Sequence, residues 1–354
     1  MVIVMSAQAR EEDLAAVVGQ VEAAGGSAFI SRGVARTIIG VVGDEGVLTA
    51  IDVATAPGVA EVVRITVPYK LVSRENHTRT STISVAGVPI GPDTFTLIAG
   101  PCAVESPEQT LAAAQMAIRA GATLLRGGAY KPRTSPYAFQ GLGVAGLKIL
   151  ADVRAETGLP VVTEVVDAAD VDTVCEYADM LQIGTRNMQN FGLLQAAGGA
   201  GKPVMLKRGL TATYEEWLMA AEYIAQRGNL DIVLCERGVR TFETATRNTL
   251  DVSAVPMVHA LSHLPVIVDP SHAAGRRDLV VPLARAAMAA GADGVMVDVH
   301  PAPEQAQCDG AQALHGDSLD ELGVAVATIP PLVGRSLAVF AHEPGVRPGL
   351  PAPA

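Results

Sequence analysis

Residues 123–136 read TLLRGGAYKPRTSP, an apolar run that passes directly into a loop of glycines, prolines and cations. The cations Arg126, Lys131 and Arg133 lie within a few positions of one another in a chain whose formal net charge is −11. Because glycines and a proline separate them, this segment is not one face of a solvated helix. A buried strand followed by a stiff, charged loop is the unit from which we predict the fold.

Similar apolar runs recur along the chain with helical stretches between them. They are FTLIAG (95–100), TLLRGG (123–128), PVVTEV (160–165), MLQIG (180–184), PVMLK (203–207), DIVLC (231–235), PVIVD (265–269) and GVMVDV (294–299). This rhythm is typical of β/α units whose strands are buried on both faces. Eight units predict an α/β fold with a closed (β/α)8 TIM barrel over residues 95–340. An open doubly wound sheet is the alternative, although no GxGxxG follows the first strand.

The first 70 residues have a different pattern and predict a small domain of their own. Strand-like runs and two helices, at residues 11–26 and around residues 50–57, follow in the order β-α-β-β-α-β, which is the ferredoxin-like pattern. We expect residues 71–94 to form a linker and a β-hairpin, since 69–82 is polar and 82–91 alternates. Residues 341–354 are rich in proline and predict an extended tail.

Composition excludes several classes of function. The acidic balance argues against general nucleic-acid binding, so an anion must be held by a local cluster of cations. No uncharged apolar run reaches the roughly 18 residues of a membrane helix, and the first 12 residues do not resemble a signal peptide. Four dispersed cysteines without CxxC spacing favour a reducing, cytoplasmic setting.

A polar residue follows every one of the eight predicted strands. In chain order these residues are Cys102; Arg126, Lys131 and Arg133; Glu164; Arg186; Lys207 and Arg208; Glu236 and Arg237; Asp269 and His272; and Asp298, His300 and Asp309. Any single one is explained as a rim charge. Because the carboxyl ends of barrel strands meet at one mouth, the complete ring predicts a functional pocket.

The cations divide into two groups. Arg126, Arg186 and Arg237 offer planar forks for phosphate or carboxylate, whereas Lys131 and Lys207 offer point charges. Arg133-Thr134-Ser135 places a guanidinium beside two hydroxyls and forms a second anion site. Two anion sites predict two phosphorylated substrates or one bisphosphate. Lys207 alternatively fits a Schiff-base lysine of a class I aldolase.

Cys102, His272, Asp298 and Asp309 form a mixed set of soft and hard donors that suits Mn²⁺, Fe²⁺, Co²⁺ or Zn²⁺. No local spacing establishes such a site, because its members come from distant strands. Cys102 taken alone is more often a buried small hydrophobe. His300 competes with His272 for the imidazole position.

Several long blocks together resemble 3-deoxy-D-arabino-heptulosonate 7-phosphate (DAHP) synthase, in the type I subgroup with an N-terminal ferredoxin-like domain. They include IAGPCAVES (98–106), LRGGAYKPRTSPYAFQGLG (125–143), QIGTRNMQNF (182–191), LCERGVRTFE (234–243), VDPSHAAGRRDLV (268–280) and DVHPAPEQAQCDGAQAL (298–314). The blocks occur in the family's order, and the resemblance covers residues 1 to about 320.

The resemblance implies that phosphoenolpyruvate condenses with erythrose 4-phosphate and water, giving DAHP and phosphate at the entry of the shikimate pathway. By the family's pattern, the residues that bind phosphoenolpyruvate are Arg126, Lys131, Arg186, Lys207, Glu236 and Arg237. Those that bind the sugar phosphate are Arg133, Thr134 and Ser135. The catalytic residues are Lys131, Glu164 and His272, and the ligands of a divalent metal are Cys102, His272, Asp298 and Asp309.

The family usually has glutamate where this chain has Asp298, which is one methylene shorter. The nearest alternative is 3-deoxy-octulosonate 8-phosphate synthase, which uses arabinose 5-phosphate. KPRTS at 131–135 favours erythrose 4-phosphate over the KANRSS-type loop of that sister family. The resemblance further implies a homo-oligomer, a dimer or tetramer, whose N-terminal domain mediates inhibition by aromatic amino acids. A purely structural N-terminal domain, or a degenerate barrel that only senses amino acids, is the alternative.

Overall fold

The computed structural model describes residues 1–32, 37–44, 46–47, 51–63, 67–77, 79–133 and 135–338. The strands are β1 Val2–Met5, β2 Ser27–Arg32, β3 Thr37–Val42, β4 Val59–Val63, β5 Ile83–Val85, β6 Val88–Ile90, β7 Thr94–Gly100, β8 Leu124–Arg126, β9 Val161–Val165, β10 Met180–Ile183, β11 Val204–Lys207, β12 Ile232–Glu236, β13 Val266–Val268, β14 Gly294–Asp298 and β15 Ser336–Leu337. The helices are α1 Glu11–Ala23, α2 Pro107–Arg119, α3 Val144–Thr157, α4 Val171–Cys175, α5 Phe191–Gly199, α6 Tyr214–Ala225, α7 Ala254–Leu261, α8 Pro270–Ala274, α9 Arg277–Ala289 and α10 Gly316–Leu332.

The N-terminal unit is a four-stranded antiparallel sheet in the order β2-β3-β1-β4, with the helix α1 between β1 and β2. Leu14, Val17 and Val21 form the buried stripe of α1 at helical spacing. This order confirms the ferredoxin-like prediction. The predicted second helix is misplaced: residues 46–47 are helical, whereas 51–57 form coil and turns, and residues 48–50 lie outside the described residues. Proline and glycine at 57–58 favour a turn there.

The connection between the two units is packed rather than free. Tyr69, Leu71 and Val72 are buried in one cluster with residues of the barrel wall, although their neighbours are polar. The backbone N–H groups of Leu71 and Val72 donate to the carboxylate of Glu222 on α6 at 2.9 to 3.1 Å. Within the mostly polar segment 69–82, Tyr69, Leu71 and Val72 therefore form a short apolar anchor that packs on the barrel.

The strands β7 to β14 form one closed parallel sheet in sequence order, and β14 pairs with β7 to complete it. Each strand coincides with one of the apolar runs, so the TIM-barrel prediction is confirmed. The hairpin β5–β6 buries Ile83, Val85, Val88 and Ile90 against the inner layer of the barrel. Since these four residues alternate with polar or small ones, the hairpin presents one apolar face and closes the amino end.

The last helix, α10, keeps Pro330 and Pro331 inside its final turn and ends at Leu332. The strand β15 then pairs in parallel with β7, outside the closed ring. The predicted tail, 341–354, lies outside the described residues. Among the helices that are described, none is both long and apolar enough to cross a membrane.

Candidate active site

The carboxyl end of the barrel brings together residues that are far apart in the sequence. Cys102 follows β7, His272 lies on the short helix α8 after β13, and Asp298 ends β14. Asp309, on the loop after β14, adopts a left-handed conformation with φ of 54°, which aspartate tolerates better than most residues. These four residues present donor atoms that all lie within 4.8 Å of one another.

The four donors fit a divalent cation. Nε2 of His272 lies 3.8 Å from Sγ of Cys102, 3.7 Å from Oδ2 of Asp298 and 3.8 Å from Oδ2 of Asp309. Sγ of Cys102 lies 3.2 Å from the same oxygen of Asp309. Separations of this size are those between ligands of one ion whose bonds are about 2.0–2.3 Å long. The structure thus brings together all four predicted ligands.

Carboxylates control the charge of His272. Burial favours its neutral form, but Asp269 and then Asp298 outweigh this effect and raise the pKa of His272 to about 9. Burial likewise opposes the charge of Asp309, but His272 and Arg247 hold the pKa of that carboxyl below its usual range. The carboxylates thus attract positive charge to this position, as expected of a cation site.

Asp298 has a second set of partners beside the donor group. Its Oδ1 accepts a 2.7 Å hydrogen bond from Arg126, and its Oδ2 accepts one of 2.6 Å from Gln312. Burial disfavours the charge on Arg126, but Asp298, Cys102 and Asp269 together outweigh burial and raise the pKa of the guanidinium. Nε of Arg126 is buried without a protein partner among the described residues, so it can donate to an anion.

The loop that carries Lys131 and Arg133 lies against the donor group formed by Cys102, His272, Asp298 and Asp309. Nζ of Lys131 donates to the carbonyl of Cys102 at 3.0 Å and lies 3.1 Å from its Sγ. Arg133 donates to Sγ of Cys308 at 2.8 Å. Ser135 is exposed, whereas Thr134 lies outside the described residues. The loop therefore extends from the donor group toward solvent.

The other predicted cations stand on neighbouring strands. Lys207 is buried at the end of β11 and lies 2.5 Å from Oδ2 of Asp269. Arg237 donates to the carbonyl of His272 at 3.0 Å, and burial lowers its pKa. Arg186 is exposed and lines a cavity of about 230 Å³ together with residues 209–212.

The two predicted glutamates differ in position. Glu164 accepts from Gln182 at 3.3 Å, and Gly184 leaves room for it, since a Cβ there would meet Oε1 at 1.9 Å. Glu236 is fully buried and its oxygens accept from Arg208 at 2.9 Å and from the N–H of Gly238 at 2.6 Å. Glu236 thus joins Arg208 to the backbone that follows β12, and burial raises its pKa.

The structure resolves one alternative and adds residues that sequence reasoning did not assign. His300 lies 3.4 Å from Glu105 and accepts the N–H of Ala302, so His272 and not His300 belongs to the group of four possible metal ligands. Asp269 stood in the ring of strand ends, but nothing in the sequence showed which side chains it contacts. Gln312 and Cys308 lie on the loop after β14 within the block 298–314, but nothing in the sequence assigned them a role.

Comparison with known proteins places both units in one family. Residues 72–330 match the DAHP synthetase I family, and residues 1–67 match the DAHP synthase ferredoxin-like domain. A phospho-2-dehydro-3-deoxyheptonate aldolase of Thermotoga maritima is 52% identical over 322 residues, covering 91% of this chain and 95% of that protein. A 2-dehydro-3-deoxyphosphooctonate aldolase of Syntrophotalea carbinolica is 36% identical over 257 residues, covering 67% and 92%.

Solved structures agree with this assignment. The crystal structure of the Thermotoga maritima DAHP synthase superposes with a TM-score of 0.75 at 49% identity, covering 95% of this chain and 98% of that chain. A truncated form of the same enzyme gives 0.72 at 51% identity, covering 76% and 99%. The resemblance read from the sequence is confirmed: this chain belongs to the DAHP synthetase I family and carries the ferredoxin-like domain of DAHP synthases at its N-terminus.

Proposed function

We propose that this protein condenses phosphoenolpyruvate with D-erythrose 4-phosphate and water to give DAHP and inorganic phosphate. The observation that carries the proposal is the junction at Lys131, whose ammonium lies 3.1 Å from Sγ of Cys102 in the donor group. The cationic side chains that could bind two anions and the residues that could bind a metal therefore lie together at the carboxyl end of the barrel. Family membership supplies the identity of the reaction.

Phosphoenolpyruvate would be held by the buried cations Arg126, Lys207 and Arg237, by the half-buried Lys131 and by the exposed Arg186. Buried guanidinium and ammonium groups bind phosphate and carboxylate strongly because little water competes with them. The loop at Arg133, Thr134 and Ser135 would hold the phosphate of the sugar. Glu236 contributes by fixing Arg208 and the backbone at Gly238, adjacent to Lys207 and Arg237.

In the reaction, C3 of phosphoenolpyruvate forms a bond to the aldehyde carbon of the sugar, and positive charge develops at C2. Lys131 donates a proton to the aldehyde oxygen as that oxygen gains charge. Water adds at C2 and gives its proton to Glu164. The C2–O bond to phosphate then breaks as the proton of the new C2 hydroxyl passes to the departing phosphate, leaving the ketone of DAHP and inorganic phosphate.

The ligands of the required divalent ion would be Cys102, His272, Asp298 and Asp309. When bound, such an ion acts as a Lewis acid toward a carbonyl oxygen. Mn²⁺, Fe²⁺, Co²⁺ and Zn²⁺ all suit a thiolate, an imidazole and two carboxylates.

The deciding experiment follows phosphoenolpyruvate consumption by chelator-stripped protein, with and without Mn²⁺, offering erythrose 4-phosphate and arabinose 5-phosphate in parallel. We expect turnover only with metal and erythrose 4-phosphate. Preference for arabinose 5-phosphate would identify the activity of the sister family. Full activity after verified metal removal would point to a Schiff base at Lys207 instead.

We further propose that residues 1–70 regulate the barrel over 95–340, with residues 71–94 connecting them, in a cytoplasmic dimer or tetramer. In support, the connection is anchored to α6 through Glu222, so a displacement of the first domain would reach the barrel wall. Deleting residues 1–70 should keep turnover and abolish inhibition by tyrosine or phenylalanine. A full-length enzyme that ignores both amino acids would contradict the regulatory role.

A further inference from the structure

Asp269 is a fully buried carboxylate at the end of β13 that contacts two functional groups at once. Its Oδ2 lies 2.5 Å from Nζ of Lys207 and 2.8 Å from Nδ1 of His272. Its Oδ1 accepts a 2.9 Å hydrogen bond from the backbone N–H of His272, which caps the short helix α8. Asp269 itself is outside the four-residue donor group.

We propose that Asp269 is a positioning residue that couples the metal ligands to the phosphoenolpyruvate cations. The inference rests on the proposed function only for the identity of the anion. The part that concerns metal binding depends on the arrangement of the four donor residues and not on the reaction. Through His272 the carboxylate orients a metal ligand, and through Lys207 it orients an anion-binding ammonium.

The orientation of His272 follows from the contact at Nδ1. Nδ1 lies against this carboxylate as an ion pair without a well-aligned hydrogen bond. The attraction keeps a proton at Nδ1, so Nε2 is the nitrogen that turns toward Cys102, Asp298 and Asp309 and can lose its proton to bind a metal. The hydrogen bond from the His272 N–H fixes the backbone on which the ring stands. Loss of such a supporting carboxylate typically lowers metal affinity by about 10–100-fold.

The orientation of Lys207 follows from burial. The side chains of Lys207 and Asp269 are both almost completely inaccessible to water, so neither charge is satisfied by solvent. The ammonium is therefore fixed at one place before an anion arrives, which reduces the entropy lost on binding. Removing the carboxylate would leave Lys207 without this partner and free to change rotamer.

The test compares the Asp269→Asn variant with the wild type by two binding measurements that need no turnover. Mn²⁺ affinity, followed by electron paramagnetic resonance, should fall about 10–100-fold. Phosphoenolpyruvate affinity of the metal-free protein, followed by calorimetry, should fall about tenfold. Lys207→Met should lower only the second affinity and leave Mn²⁺ binding within about twofold.

Asp293→Asn is the matched control. Asp293 is also fully buried and also pairs with a cation and a histidine, Arg335 at 2.6 Å and His259 at 2.8 Å, but it precedes β14 at the opposite end of the barrel. Its substitution should reduce stability and change neither affinity. Equal losses of affinity in both variants would overturn the inference, because they would show a general effect of destabilisation.

A folded Asp269→Asn protein with unchanged Mn²⁺ affinity also overturns the inference, whatever the turnover. If that variant does not fold, Lys207→Met/Asp269→Asn replaces it, because no lysine is then left unpaired. Its Mn²⁺ affinity should still fall at least tenfold below that of Lys207→Met, and equality of the two would overturn the inference. The two proposals can fail separately. If the wild type consumes no phosphoenolpyruvate but Asp269→Asn still lowers Mn²⁺ affinity, the proposed function is contradicted and the inference about metal binding is not.

Discussion

Two histidines flank the strand β13, the buried His263 and the half-buried His272, and their protonation is shifted in opposite directions. Before the strand, burial lowers the pKa of His263 to about 3, and the nearby His77 and Arg74 add to this effect. After the strand, Asp269 and Asp298 outweigh burial and raise the pKa of His272 to about 9. Burial alone therefore does not decide the charge of a side chain. The charges that face it decide.

The partners of the two histidines explain the difference. His263 donates from Nε2 to the carbonyl of Leu71 at 3.0 Å and contacts the hydroxyl of Ser81 at 2.8 Å, so neutral groups satisfy both nitrogens. At the carboxyl end, carboxylates face both nitrogens of His272. The amino end is thus organised for stability, and the carboxyl end concentrates charge for chemistry.

The largest expected effect concerns the carboxyl end. Lys131→Met should lower turnover by about 10³-fold, because it removes the proposed proton donor to the aldehyde oxygen. The rate of phosphoenolpyruvate consumption measures this loss. Lys148→Met is the control, since Lys148 is exposed on α3 and should leave the rate unchanged. Near-normal turnover of Lys131→Met would remove Lys131 from the chemistry.

At the amino end of the barrel, a substitution should lower the free energy of unfolding and leave turnover unchanged. Ile90→Ala leaves a cavity between the hairpin and the inner layer of the barrel, and should lower the free energy of unfolding by about 2–5 kcal/mol. Denaturant unfolding measures the cost. A fall in turnover of more than about twofold, in protein shown to be folded, would contradict the view that the amino end serves stability and the carboxyl end serves chemistry.

The pH dependence of stability tests the neutral histidine. Below about pH 6.5 the unfolded chain protonates His263, whereas the native protein does not until about pH 3, so the unfolded state binds more protons. The stability due to this shift is complete above pH 6.5 and is lost as the pH falls. At pH 5 the loss should be about 2 kcal/mol. His263→Gln should show a flatter dependence, and parallel curves for the two proteins would refute the assignment.

The smallest expected effect concerns the anchor of the connection. In Glu222→Gln an amide donor faces the N–H groups of Leu71 and Val72, which should cost about 1 kcal/mol. Hydrogen exchange at these two amides should become faster. Glu215→Gln, on the exposed side of the same helix, is the control. Equal exchange in both variants would show that the carboxylate does not hold the connection.

The sequence predicted most of the fold because the barrel strands are short, apolar and separated by regular helices. It also predicted the four metal-capable residues, since strand ends of a closed barrel must converge. It failed at residues 51–57, where turn-forming residues override a weak helical pattern. It also failed to show that Leu71 is an anchor, because a short apolar pair inside a polar segment has no periodicity.

The sequence by itself determined the barrel, the ferredoxin-like order and the family, because each depends on local patterns or on long blocks of residues. Only the tertiary structure decided which buried charges pair. That Asp298 contacts Arg126, that Glu236 contacts Arg208 and that Asp269 joins Lys207 to His272 depend on side-chain directions at neighbouring strand ends. Those directions are fixed by packing between segments distant in the chain, so no local pattern of residues encodes them.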